Sequence, residues 1–179
     1  LYWPGRGDYR PYMYMVETLR PNMNVDSTPE YVKYIFMDNL MMNVYPSKPE
    51  TYNGSALISE YPEFSAAVKT CAALRQQYLS YFADGLTISD TAVDGDIPCR
   101  VSGYFDREKK SFLMVVYKYV DNDAAIPFDL SYFTDAASHT WTITDEGANL
   151  VASGDMGARG EITVSGEKSR LYMIEIKAK

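Results

Sequence analysis

Few residues of this sequence combine reactive chemistry with a placement that would let them act on a substrate. Glu17 ends the apolar run YMYMVE, residues 12–17, which has the pattern of a strand buried on both faces of a parallel sheet. A carboxylate at the carboxyl end of such a strand can act as a general acid or base, or hydrogen-bond a substrate hydroxyl. The alternative is a structural ion pair with Arg10 or Arg20. Topology therefore makes Glu17 the candidate catalytic residue.

Other kinds of catalytic site find little support in the sequence. His139 is the only histidine, Cys71 and Cys99 are the only cysteines, and no C-x-x-C pair occurs. We therefore expect no metal site and no cofactor, and we expect His139 to lie in a loop or at a strand end. Cys71 falls on the apolar face of a predicted helix, where a thiol packs as a small hydrophobe, so a Cys71–Cys99 disulfide is not expected.

Composition describes a globular protein and excludes some partners. The chain has 179 residues, of which 46% are hydrophobic and 14% aromatic, with a formal net charge of −7. A nucleic acid or an anionic membrane would need a basic face, so neither is an expected partner. No apolar run is long enough to cross a bilayer. The sequence begins at Leu1 rather than at Met, and we expect a processed product or a piece of a longer protein.

The first half of the chain, residues 1–85, alternates strand and helix patterns. A second buried strand is predicted at LMMNVY, residues 40–45, although this run could also continue the preceding helix. Helices are predicted over residues 26–39 and 63–85. The order strand, helix, strand, helix is the repeating unit of a parallel α/β fold.

Both predicted helices carry recognisable end signals. In the first, Ser27 and Glu30 have the spacing of a capping box, or Thr28 is the cap and Pro29 takes the first helical position. The second ends before Gly85, where a C′ glycine is expected. Its apolar stripe is formed by Phe64, Val68, Cys71, Leu74 and Tyr78.

The second half, residues 86–179, consists of short strand patterns separated by turns. Glycines at 147, 154, 157 and 166 are assigned to turns. Short strands at this spacing are typical of an antiparallel β-sandwich. The predicted strands are 99–105, 111–120, 125–133, 139–144, 160–164 and 170–176.

A closing helix followed by a small sandwich resembles the C-terminal end of TIM-barrel glycoside hydrolases, the broad retaining group that includes alpha-galactosidase-like enzymes. The phrases that carry this resemblance are RPYMYMVETLRPN, LMMNVYPSKPETYNGSALISEYPEFSAAVKTCAALRQQYLSYFADG and VSGYFDREKKSFLMVVYKYVDNDAAIPFDLS. It implies an α/β part followed by an all-β part. Residues 1–85 would be the terminal βαβα portion of a (β/α)8 barrel, and residues 86–179 an antiparallel β-sandwich. About six βα units of a complete barrel are absent from the sequence.

The resemblance also implies a function for the parent protein. Glycoside hydrolysis needs two carboxyl groups roughly 5–10 Å apart, and Glu17 would be the acid/base residue facing the sugar cleft. Tyr45 and Tyr52 follow the second strand, where their rings would stack on substrate sugars. The expected partners are the missing N-terminal barrel portion and a carbohydrate substrate. The sandwich would brace the barrel, and the chain alone is not expected to catalyse. A secreted or periplasmic location is favoured.

An alternative is a non-catalytic carbohydrate- or protein-binding β-sandwich module. Such a module would present a row of exposed aromatic rings on one sandwich face. Trp141 and Tyr104 are the nearest candidates, although Trp141 lies within a predicted strand and is expected in the core.

Overall fold

The structure is a computed structural model that describes residues 29–37, 50–51, 54–55, 62–88, 93, 97 and 99–179. The chain divides into two compact units, one of residues 11–79 and one that holds residues 80–179. The strands predicted at 12–17 and 40–45 lie outside the described residues. The barrel portion therefore stays a prediction, as does a domain boundary after residue 85.

In the first unit, helix α1 (Pro29–Met37) packs against helix α2 (Pro62–Gln77). The start of α1 at Pro29 agrees with the placement of proline at the first helical position, where its missing N–H and fixed φ carry no penalty. Val32 and Phe36 of α1 are buried, as the predicted apolar face requires. Two short strands, β1 (Glu50–Thr51) and β2 (Gly54–Ser55), pair antiparallel in the same unit.

The predicted helix 63–85 is two helices in the structure. After α2 ends at Gln77, a turn at Tyr78 precedes α3 (Leu79–Asp84). Of the predicted apolar stripe of α2, Phe64, Cys71 and Leu74 are buried, whereas Val68 is only half-buried. The stripe therefore identified most of the buried side chains but not the break in the helix.

Gly85 ends α3 through a close approach of the backbone. Its N–H donates to the Tyr81 carbonyl over 3.0 Å. A Cβ at Gly85 would lie 2.2 Å from that oxygen, so any other residue would force the chain apart. A C′ glycine usually has a positive φ, but Gly85 does not; among the described glycines, Gly166 has one (φ 128°).

The second unit is built of antiparallel strands. Its six-stranded sheet has the order β3-β4-β5-β10-β7-β8, and a two-stranded ribbon pairs β6 with β9. The antiparallel, mostly β character predicted for this half of the chain is confirmed. The strands are β3 (Leu86–Thr87), β4 (Cys99–Asp106), β5 (Ser111–Lys118), β6 (Ala124–Asp129), β7 (Ser138–Asp145), β8 (Leu150–Gly157), β9 (Arg159–Val164) and β10 (Leu171–Ala178).

The hydrophobic core of this unit combines side chains from the six-stranded sheet with side chains from the ribbon. Met114, Val116 and Ile174 come from the sheet, and Ile126 and Ile162 come from the ribbon; all five are fully buried. Burying an aliphatic side chain of this size stabilises the fold by about 1.5–3 kcal/mol. The arrangement is sandwich-like, with the core between the two layers.

Strand β8 was not predicted from the sequence. Gly154, assigned to a turn, lies inside this strand, so that assignment is wrong, whereas Gly157 is the last residue of the strand. The reason is a contact across the sheet: a Cβ at Gly154 would come within 2.6 Å of the Trp141 ring on β7. Glycine weakens strand propensity but gives the large ring a place to lie.

None of the helices in the described part of the chain is long and apolar enough to cross a bilayer.

Candidate functional site

The three residues predicted to act on a substrate, Glu17, Tyr45 and Tyr52, lie outside the described residues. Their roles as acid/base and as sugar-stacking residues stay predictions. The functional geometry that can be described belongs to the second unit.

His139 is a core residue at the start of β7, which confirms its predicted position at a strand end. It is 0% exposed, and its ring meets Phe112 edge-on with centroids 6.2 Å apart. Burial lowers the pKa of His139, and the backbone of Gly157 only partly offsets this effect. The imidazole is therefore held neutral in the core, away from any substrate.

Cys71 and Cys99 are both buried free thiols. Burial raises the pKa of Cys99 to about 11, and the charge of Lys118 lowers it by less. A thiol held protonated in this way is a poor nucleophile. Within the described ranges, no group of three His, Cys, Asp or Glu residues could hold a metal ion.

A polar cluster joins α3 to the sheet. The Tyr81 hydroxyl accepts a hydrogen bond from the Ser111 hydroxyl over 2.8 Å and donates one to Glu175 Oε1 over 3.0 Å. The other Glu175 oxygen pairs with Lys177 Nζ at 2.8 Å. Next to Tyr81 along α3, Phe82 meets Tyr104 edge-on with ring centroids 5.1 Å apart. The helix is thus anchored by the two hydrogen bonds of Tyr81 and the aromatic contact of Phe82.

Lys109 extends the cluster along one side of Tyr81. Its ammonium lies 5.9 Å from the Tyr81 ring centroid, donates to the Ser80 hydroxyl over 2.8 Å and pairs with Asp106 at 3.2 Å. Partial burial raises the pKa of Asp106, but hydrogen bonds from Lys109 and Glu108 and the Lys109 charge lower it by more, so the net shift is downward. Asp106 is therefore an ionised structural anchor of the β4–β5 turn.

This cluster holds α3 on the sheet and does not form an acid/base pair. Burial and then the nearby Glu175 charge raise the pKa of Tyr81 in spite of the Ser111 hydrogen bond, so the phenol stays neutral. Glu175 is held by both Tyr81 and Lys177. Sequence reasoning missed the cluster because Tyr81 and Glu175 are 94 residues apart in the chain.

The far face of the six-stranded sheet, the face that points away from β6 and β9, is also apolar. Side chains alternate along a strand, so Leu113 and Val115 on β5 and Met173 on β10 lie on this face. All three are at most 1% exposed. A strand buried on both faces explains the continuous apolar run at β5.

The aromatic residues considered for a binding face are differently placed. Tyr104 is 2% exposed, so its ring cannot meet a ligand, and Trp141 is partly buried against the core. Among the described tyrosines, Tyr119 and Tyr132 are the exposed ones, at 50% and 74%. The predicted aromatic row is therefore not formed by Tyr104 and Trp141.

Comparison with known proteins gives a match in structure only. No protein-family model matches the chain. No curated protein matches it either. The GH30 endoxylanase from Clostridium papyrosolvens C71 is similar over 85% of this chain and 39% of its own, with a TM-score of 0.50 and 14% identity.

Two further glycoside hydrolases show shorter similarities. A family 44 xyloglucanase from Paenibacillus polymyxa matches over 45% of this chain and 17% of its own, with a TM-score of 0.36 and 20% identity. An arabinose-bound α-L-arabinofuranosidase, MgGH51, matches over 46% of this chain and 15% of its own, with a TM-score of 0.31 and 9% identity. The chain thus spans well under half the length of each of these enzymes. On the endoxylanase match, it has a fold related to that of glycoside hydrolases.

Proposed function

We propose that this chain is the C-terminal part of a carbohydrate-active glycoside hydrolase. Residues 1–85 supply the last βα units of its (β/α)8 barrel, and residues 86–179 form a sandwich that braces the barrel. The likeness to the endoxylanase carries the proposal. That likeness covers 85% of this chain. The chain spans only 39% of that enzyme, so catalysis requires the rest of the barrel.

The bracing role is supported by the far face of the sheet. A sandwich that served only as a free binding module would present a polar outer face to water, whereas Leu113, Val115 and Met173 are buried there. We propose that the sandwich, with helix α3 anchored on it, gives the barrel a rigid support. The polar anchor formed by Tyr81, Ser111 and Glu175 fixes the point where the chain enters the sandwich.

Glu17, Tyr45 and Tyr52 complete the proposal. Barrel active sites lie at the carboxyl ends of the strands, where Glu17 would act as acid/base and the two tyrosines would stack on sugar rings. The probes follow from the proteins compared above: soluble xylan, xyloglucan and arabinan.

The test uses the intact gene product and measures reducing sugar released from these three polymers. Glu17→Gln should lower kcat by about 10²–10⁴-fold, the contribution of a positioned acid/base, with little effect on KM. The control is Glu63→Gln, because Glu63 is an exposed carboxylate in the first turn of α2. Unchanged turnover in Glu17→Gln would remove Glu17 from the mechanism. A wild-type protein inactive on all three polymers and on aryl glycosides would refute the proposed function.

A further inference from the structure

Residues 130–134, the Tyr132 turn, follow β6 and hold one aromatic ring out in solvent. Tyr132 is 74% exposed, more than any other large hydrophobic side chain in the described part of the chain. Isolated exposed aromatics are common on protein surfaces. This one differs because the backbone on either side of it is fixed and a charged pair lies next to it.

The turn is anchored on both sides of Tyr132. Leu130 is fully buried, and its N–H donates to the Ala158 carbonyl over 2.8 Å. The Leu130 carbonyl accepts the N–H of Phe133 over 2.9 Å, and the Phe133 ring packs on Phe105 with centroids 5.9 Å apart. The ring of Tyr132 is therefore carried on a preorganised backbone, which lowers the entropy cost of binding a ligand there.

The residues just before Tyr132 carry polar groups, and one of them, Asp129, pairs with Arg159 on the neighbouring strand β9. Asp129 Oδ2 pairs with Arg159 Nε at 2.9 Å, and Asp129 Oδ1 accepts the Ser131 N–H at 3.0 Å and the Ser131 hydroxyl at 2.5 Å. Arg159 Nη2 lies 3.5 Å from the Ser131 hydroxyl. The Arg159 side chain is 72% exposed, so its guanidinium is accessible to a ligand.

This combination favours a neutral ligand rich in hydroxyl groups. A phosphate or a nucleic acid would need a cation that is not already paired, whereas Asp129 neutralises Arg159. One aromatic ring is also far smaller than the roughly 800 Å² that each partner buries in a stable protein interface. A sugar fits both features, since its C–H face packs on an aromatic ring and its hydroxyls hydrogen-bond charged side chains.

We propose that Tyr132, Asp129 and Arg159 form a binding site for a neutral polysaccharide chain, separate from the residues assigned to catalysis. Tyr132 stacks on a sugar ring, and Arg159 and Asp129 bond its hydroxyls. The site would hold polymer on the sandwich while the barrel cleaves it; only this last role, and the choice of polymers as probes, rests on the proposed function.

The test measures binding of the intact gene product to soluble xylan, xyloglucan and arabinan by affinity gel electrophoresis and calorimetry. Tyr132→Ala should raise the Kd for the polymer by roughly three- to tenfold, which is the effect expected from losing a single aromatic contact. Tyr132→Phe should bind like the wild type, because it keeps the ring. Tyr119→Ala is the matched control, since Tyr119 is the other exposed tyrosine among the described residues.

Three outcomes would overturn the proposal: equal binding by Tyr132→Ala and the wild type, an equal loss in Tyr119→Ala, or no binding of any of the three polymers by the wild type. The result is distinguishable from failure of the proposed function. A protein that binds polymer through Tyr132 but hydrolyses nothing keeps the site and refutes the enzyme. A protein that hydrolyses polymer with binding insensitive to Tyr132 does the reverse.

Discussion

The anchor of α3 on the sheet makes the most direct prediction for stability. Tyr81→Phe removes a single hydroxyl and leaves the ring in place. Two hydrogen bonds are lost, one accepted from Ser111 at 2.8 Å and one donated to Glu175 at 3.0 Å. The change therefore isolates the polar part of the anchor from the packing of α3.

The two lost bonds have unequal costs. Ser111 is 1% exposed, so its hydroxyl is left buried without its acceptor, which costs about 1–3 kcal/mol. The Glu175 side chain is 26% exposed and keeps Lys177 as a partner at 2.8 Å, so its loss is small. We expect Tyr81→Phe to lower the free energy of unfolding by about 1–2 kcal/mol.

Urea unfolding followed by circular dichroism measures this change. Tyr132→Phe is the matched control, because Tyr132 lies 74% exposed and its variant should stay within about 0.5 kcal/mol of the wild type. A double-mutant cycle with Ser111→Ala then tests the bond itself. The double variant should lose about 0.5–1.5 kcal/mol less than the sum of the single variants, since the second change removes a group already left without its partner.

Two results would refute the reasoning. If Tyr81→Phe behaves like Tyr132→Phe, the buried hydroxyl contributes nothing measurable to the fold. If the effects of Tyr81→Phe and Ser111→Ala add, the two side chains are not coupled, and the anchor is aromatic packing of α3 alone.

Further predictions concern single core residues of the second unit. Because burial lowers the pKa of His139, the unfolded chain takes up a proton more readily than the folded chain below about pH 6.5. The free energy of unfolding should therefore fall from about pH 7 to pH 5, by at most about 1.4 kcal/mol per pH unit. Urea titrations should show that this slope vanishes in His139→Phe, and a slope that persists in that variant contradicts the assignment to His139. Gly154→Ala should lower the free energy of unfolding by about 1–3 kcal/mol, because its new Cβ would clash with Trp141. Gly157→Ala on the same strand should lower it by less, since the nearest atom to a Cβ there is 3.4 Å away. Thermal melts compare the two variants, and equal losses of stability would count against the clash. Burial raises the pKa of the Cys99 thiol to about 11, so Cys99 should react with a thiol reagent at about pH 8 only after the protein unfolds. Mass spectrometry locates the labelled cysteine. Rapid labelling of Cys99 in the folded protein would show that β4 is accessible to solvent.

Local sequence patterns predicted several elements well. The apolar run at β5 predicted a strand because continuous burial leaves no polar alternation, and the structure buries both of its faces. Proline at residue 29 marked the start of α1 because its backbone suits the first helical turn. These predictions depend on residues close together in the chain, and local chemistry is enough to decide them.

Other features could not be predicted because they depend on distant contacts. The glycines of β8 indicate a turn locally, and only the Trp141 ring across the sheet explains why one lies in a strand. The helical period continues through Tyr78, yet the helix breaks there. The role of Glu17 was predicted from the strand pattern of the sequence, and Glu17 lies outside the described residues.

By itself, the sequence determined the class of the second half of this protein, an acidic and mostly β part that follows helices. Only the tertiary structure decided which side chains meet. It joined Tyr81 to Glu175 across 94 residues, buried Tyr104 and left Tyr132 in solvent. The physical reason is that composition and periodicity report how much surface must be buried, whereas the pairing of strands decides which atoms fall within hydrogen-bonding distance.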